Sequence, residues 1–254
     1  MLIPKKVYNE LQKDWHKSFC ELMRSGSSDP RLAQFAIYSF FEPLRLLGAV
    51  KTQSPQKLEV IYRETQYEAT MNYVYIKLNK LTGFYDPLYV YDGPKYAETN
   101  KILEDIVNGE YTTDDLISNA KGFTKWSERN QVVRYFALMY LDSSRQEVFI
   151  EVAKKQKEQR YIRFAALQKM SETTIINTFK EVDESIIRTY ILGKLSLPQK
   201  FFYEVALDYE KYGDESLMAI DRIVDVELLE KLMAETKSCN VMSYAIERCS
   251  DLKY

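Results

Sequence analysis

The chain has a single histidine, His16, four residues before Cys20. On a helix that spacing puts both side chains on one face. An imidazole beside a thiol is the pairing that activates a cysteine nucleophile or begins a zinc site. Either chemistry needs further groups, and the remaining cysteines, Cys239 and Cys249, offer no C-x-x-C spacing. Any Cys/His, Ser/His/Asp or multi-histidine mechanism would therefore rest on His16 alone. The pair reads as a helical histidine beside an inert small thiol. No catalytic residue, metal ligand or cofactor is assigned.

Carboxylates are too abundant to single out a pair: with 37 Asp and Glu, any chosen couple says little about acid/base catalysis. Asp114 and Asp115 are explained by a helix N-terminus, where negative charge is favourable. The run "KKQKEQR", residues 154 to 160, mixes signs and reads as a solvated turn. No P-loop or G-x-G-x-x-G occurs. Two groups remain as binding candidates. One is the aromatic stretch "GFYDPLYVYDG", residues 83 to 93, whose Tyr85, Tyr89 and Tyr91 are joined by Trp126 further on. Tyr, Trp and Arg dominate binding hot spots. The other is Arg163, which with Arg134 and Arg188 recurs at one place in repeated segments. Such arginines can grip phosphates or acidic side chains on a shared surface, or tie successive helices together. Glu158 and Asp183 stand five residues ahead of Arg163 and Arg188, and that common offset favours the structural ladder.

The elements that position these arginines follow from periodicity. Val133, Ile162, Ile187 and Val241 open one column. Four residues later come Ala137, Ala166, Ile191 and Ala245, and four beyond those come Leu141, Met170, Leu195 and Cys249. Spacing of i, i+4, i+8 is a helical stripe. Leu138, Leu167, Leu192 and Ile246 widen it toward a second contact. A weaker copy carries Glu215, Ala219, Ile220 and Ile223, so the period is about 25 to 29 residues. A second set of i, i+4 pairs lies between: Phe149 with Ala153, Ile175 with Phe179, Phe202 with Ala206, and Leu229 with Met233. Each repeat is thus two short helices, and helices of that length persist only by leaning on neighbours.

This pattern resembles the HEAT-like class of helical repeats over about residues 112 to 250. In that class a basic residue early in the second helix meets an acid near the inter-helix turn. The resemblance implies an all-α fold, an α-solenoid of short helix pairs, with Arg134, Arg163, Arg188, Glu158 and Asp183 as its ladder. The last two copies depart from it, with Ser216 and Met242 in the arginine column.

Residues 1–110 fit the columns less cleanly and read as an irregular helical N-terminal region or cap, with 111–254 as the repeat array. An apolar stripe through Val7, Leu11, Trp15, Phe19 and Leu22 predicts a helix ended by Ser25-Gly26-Ser27-Ser28. A second helix is expected after Asp29-Pro30, kinked at Pro43. Residues 57 to 80 suit either a helix or a hairpin. Helix is preferred, with Thr65 and Glu68 as a capping box and Gly83 as the stop.

A formal net charge of −2 provides no global field for DNA, RNA or an anionic membrane. No apolar run approaches the roughly 18 to 20 residues of a membrane span. The N-terminus lacks the apolar core of a signal peptide, and three cysteines suit a reducing compartment. The expectation is a cytoplasmic, non-catalytic interaction scaffold or adaptor whose partner is another protein or peptide. The alternative is a nucleic-acid-binding or DNA-repair protein of the HEAT-like alkylpurine DNA glycosylase type, which the acidic balance disfavours.

Overall fold

The computed structural model describes residues 14–84, 93–122 and 130–253. Among these, every regular element is an α-helix. The chain forms two compact units, Met1–Val148 and Phe149–Tyr254.

The first unit begins with α1 (Trp15–Arg24), α2 (Pro30–Tyr38), α3 (Glu42–Lys51) and α4 (Pro55–Glu64). It continues with α5 (Glu68–Thr82), α6 (Gly93–Asn108), α7 (Thr113–Lys121) and α8 (Gln131–Tyr140). Local signals set most boundaries. Asp14 and Asp29 accept from the backbone N–H of Lys17 and Arg31, each at 2.9 Å. Thr112 and Asp115 form a reciprocal capping box at the start of α7. Asn130 caps α8, and Gly83 and Gly122 end α5 and α7 in the left-handed conformation.

Two local expectations are corrected. Pro43 is no kink within a long helix: the chain breaks at Ser39, and Pro43 occupies the first turn of a new helix, where its missing N–H costs nothing. Thr65 is the C-cap of α4, while the residue before α5 is Tyr67, which makes no side-chain cap bond. Residues 57 to 80 are helical throughout except for the α4–α5 turn.

The core of this unit lies around α3, which packs against α1, α2, α5, α6 and α8. Every residue from 43 to 50 is buried, as is every residue from 132 to 139 of α8. A helix apolar on all sides belongs inside a domain. Gly48 makes the tightest of these approaches, because a Cβ there would lie 2.4 Å from the Leu32 carbonyl oxygen on α2.

Helix α9 (Gln146–Lys154) carries the chain into the second unit. There follow α10 (Arg160–Lys169), α11 (Glu172–Glu181), α12 (Ser185–Lys194), α13 (Gln199–Leu207), the single turn α14 (Tyr209–Tyr212), α15 (Asp214–Asp221), α16 (Val226–Glu235) and α17 (Cys239–Lys253). These match the two alternating sets of sequence columns. Within pairs, α11 packs on α12, α13 on α15 and α16 on α17. Between pairs, α10 meets α12, α12 meets α15 and α15 meets α17, while α13 meets α16. Phe164 of α10 stacks on Tyr190 of α12 with ring centres 3.9 Å apart. Phe179 of α11 meets Phe201 of α13 edge to face at 5.2 Å. The column residues Ile162, Ala166, Ile187, Ile191, Val241 and Ala245 are all fully buried.

Candidate functional site

Arg163, the fourth residue of α10, has a side chain only 3% exposed. Its Nε donates to the Ala153 carbonyl at 2.7 Å, and its two terminal nitrogens grip the Glu184 carboxylate at 2.7 and 2.8 Å. Ala153 lies at the end of α9, and Glu184 is the residue that precedes α12. Arg188 repeats the arrangement: Nη1 donates to the Val182 carbonyl at the end of α11, and Nε to Glu215 in the first turn of α15. The cation thus sits at the C-terminal end of one helix and the anion at the N-terminal end of the next, both favourable to the helix dipoles. The Arg163 hydrogen bond holds the Glu184 carboxyl below the usual carboxylate range.

The acid on Arg163 and on Arg188 comes from a helix further along the chain, not from five residues ahead. Asp183 is exposed on its turn, and Glu158 accepts the Gln159 N–H at 3.0 Å. Arg134 is buried, and its guanidinium lies against Gly122, the C-cap of α7: a Cβ on Gly122 would stand 2.9 Å from Cζ. Ser216 takes the arginine position in α15 and donates to the Val205 carbonyl at 2.9 Å, keeping the carbonyl contact with a shorter side chain.

The same construction occurs in the first unit, where the sequence columns are less clean. Leu44, Gly48 and Thr52 stand at i, i+4, i+8, and Arg45 follows Leu44 as Arg163 follows Ile162. Arg45 donates to the Ser39 carbonyl at the end of α2 at 2.7 Å and lies 3.7 Å over the ring of Tyr67, the residue that precedes α5. A second set of basic residues, nearer helix C-termini, has no consistent periodic pattern that marks it in the sequence. Lys51 donates to the carbonyls of Leu22, Met23 and Ser25, Lys77 to Val50, Arg222 to Gly193 and Leu195, and Arg248 to Ile223. Backbone acceptors leave no side-chain signature in a sequence; only the 26-residue steps from Lys51 to Lys77 and from Arg222 to Arg248 hint at them.

His16 is held in the first unit between Cys20, whose Sγ is 3.6 Å from Nε2, and Tyr135, whose hydroxyl is 3.4 Å from Nδ1. Aromatic packing sets that placement, with Phe19 edge-on to Tyr135 and Phe136 at 5.0 and 5.2 Å. Among the described residues no three His, Cys, Asp or Glu gather as a metal site, and no helix is long and apolar enough to cross a membrane. Tyr85, Tyr89, Tyr91 and Trp126 lie outside the described residues.

Two surfaces stand out. The first is on α17. Leu167, Leu192 and Ile220 in the widening column are fully buried, whereas Ile246 in the same column is 51% exposed. Among the described residues no helix covers that flank of α17, so the expected second contact of Ile246 is not made there. Met242, in the arginine column one turn earlier, is 39% exposed beside it on the same flank.

The second is a groove of about 210 Å³ between α5 and α6. Tyr73, Ile76 and Lys80 line it from α5, at i, i+3 and i+7, and Ala97, Asn100, Lys101 and Glu104 from α6. At one end the Tyr73 hydroxyl donates to Glu104 at 2.8 Å. Burial, reinforced by Glu104, pushes that hydroxyl well above its ordinary value. Behind it, burial pulls the Lys77 ammonium down to about 8, against the opposing pull of Glu104. Lys80 and Lys101 are exposed. Asn100 is only 6% exposed, and its Nδ2 has no hydrogen-bond partner among the described residues.

Comparison with protein-family models, curated proteins and solved structures returned no match for this chain.

Proposed function

We propose that the chain is a HEAT-like α-solenoid scaffold of the cytoplasm, without catalytic activity of its own, which binds an amphipathic helix of a protein partner along α17. The observation that carries this reading is the contrast within one column: Leu167, Leu192 and Ile220 are sealed by neighbouring helices, and Ile246 is not. Repeat helices of this kind bury each face against a neighbour, so an apolar flank in the same register is shaped to receive another helix. Helix-to-helix packing between alternate elements, α10 to α12 to α15 to α17, supports the stacked architecture. Lys51, Lys77, Arg163, Arg188, Arg222 and Arg248 are engaged with backbone carbonyls instead of lining a basic stripe, which favours a protein partner over nucleic acid.

The test is a pair of photo-crosslinkers, one replacing Ile246 and one replacing Ser243 as an exposed control. A discrete adduct is expected at 246 and not at 243, and Met242→Asp should abolish it. Because Met242 is partly exposed, the substitution should leave thermal stability within about 0.5 kcal/mol. Equal adducts from both positions, or turnover of a substrate by the isolated chain, would remove the reading.

A further inference from the structure

We propose that the groove between α5 and α6 binds a small organic monocarboxylate with an apolar body. The proposal is independent of helix docking on α17. The lining residues, Tyr73 to Lys80 of α5 and Ala97 to Glu104 of α6, lie beyond the first turn of their helices, so their own backbone N–H groups are engaged within the helices and are not donors of the kind that cradle phosphate at helix N-termini. Its cations are lysines, point charges rather than the bidentate fork that suits phosphate. Glu104 at the far end opposes a second negative charge on the ligand. One carboxylate between Lys80 and Lys101, an apolar body along Ile76 and Ala97, and a polar atom against Asn100 satisfy every feature of the lining.

Asn100 is the observation that points to a ligand. A side-chain amide more than nine-tenths buried is ordinarily hydrogen-bonded, and here its nitrogen has no partner among the described residues. As the side chain stands that nitrogen is sealed from solvent, and a half-turn about the terminal torsion is the movement that would turn it toward the groove that Asn100 lines, so the amide can serve a donor or an acceptor. Glu104 is already committed to Tyr73 and sits within the field of Lys77. The open end is consequently the lysine end, and the charge it selects is negative.

Side-chain amide NMR on the full chain tests this, with the Asn100 resonances assigned by their loss in Asn100→Ser. Phenylacetate should shift them saturably, phenethylamine should not, and phenethyl alcohol should act only weakly. The double variant Lys80→Gln/Lys101→Gln should weaken phenylacetate binding about fivefold to tenfold while its urea midpoint stays unchanged, since both lysines are exposed. No saturable response to phenylacetate, an equal response to phenethylamine, or unaltered affinity in the double variant would overturn the site. Tighter binding of inorganic phosphate than of phenylacetate would overturn the assignment of a monocarboxylate.

Discussion

Replacing Arg163 by Met separates a structural ladder from a ligand-gripping surface. The substitution keeps the aliphatic stem and removes three hydrogen bonds, one to Ala153 and two to Glu184. Breaking a fully buried ion pair costs about 3 to 5 kcal/mol. Glu184 retains 27% exposure, so water screens part of that loss. The abandoned Ala153 carbonyl adds about 1 kcal/mol. The net expectation is about 2 to 4 kcal/mol, a fall of about 1 M or more in the urea midpoint, followed by far-UV circular dichroism. Combined with Glu184→Gln in a double-mutant cycle, the pair should show a coupling of about 1 to 2 kcal/mol. The sign with pH is fixed: Arg163 depresses the folded-state Glu184 carboxyl, so its stabilisation is present at neutral pH and fades as pH falls through that lowered value. The Met variant should lack this acid-side loss. An unchanged midpoint in Arg163→Met would refute the ladder and return the residue to the surface.

Lys77 gives the opposite sign. Its ammonium is pulled down from 10.5 to about 8 in the fold, so the unfolded chain holds more protons between those values and stability rises with pH across them. At about 1.4 kcal/mol per pH unit the rise is at most about 3 kcal/mol, and it should vanish in Lys77→Met; a parallel pH profile for the variant would contradict it. Above about pH 10 the trend should reverse, because burial raises the hydroxyls of Tyr73, Tyr140 and Tyr203 in the fold. Gly48→Ala should destabilise by about 2 to 4 kcal/mol, since the new methyl would meet the Leu32 carbonyl at 2.4 Å and force α2 from α3. A melting temperature equal to wild type would mean that these helices can part without penalty.

The second unit was legible because its columns are filled by Ala, Ile and Leu, whose burial is the signal itself. The like-spaced set in α3 is hidden in the sequence for a physical reason. Gly48 replaces the small anchor and Thr52 the large one, and neither counts as apolar in a pattern, although both occupy their column. Pro43 suggested a bend only because the end of α2 at Ser39 has no glycine or charge to mark it. The arginine column was visible, but its partners lie further along the chain: sequence offers the acid nearby, while helix packing brings Glu184 and Glu215. Ile246 shows the converse limit, since periodicity says that a residue suits a contact and not whether a neighbour arrives. The groove lined by Asn100 left no trace, because it depends on the juxtaposition of α5 with α6 and on a missing partner, neither of which has a spacing.

The cations that hold helix ends have a consequence for proteolysis. Trypsin must draw a lysine or arginine into a deep pocket and stretch the chain on either side of it. Lys77, Arg163, Arg188 and Arg222 are instead anchored to carbonyls in other helices. Digestion at these positions should await local opening of the helix packing, so the order in which tryptic fragments appear should give the order in which these helix contacts come apart.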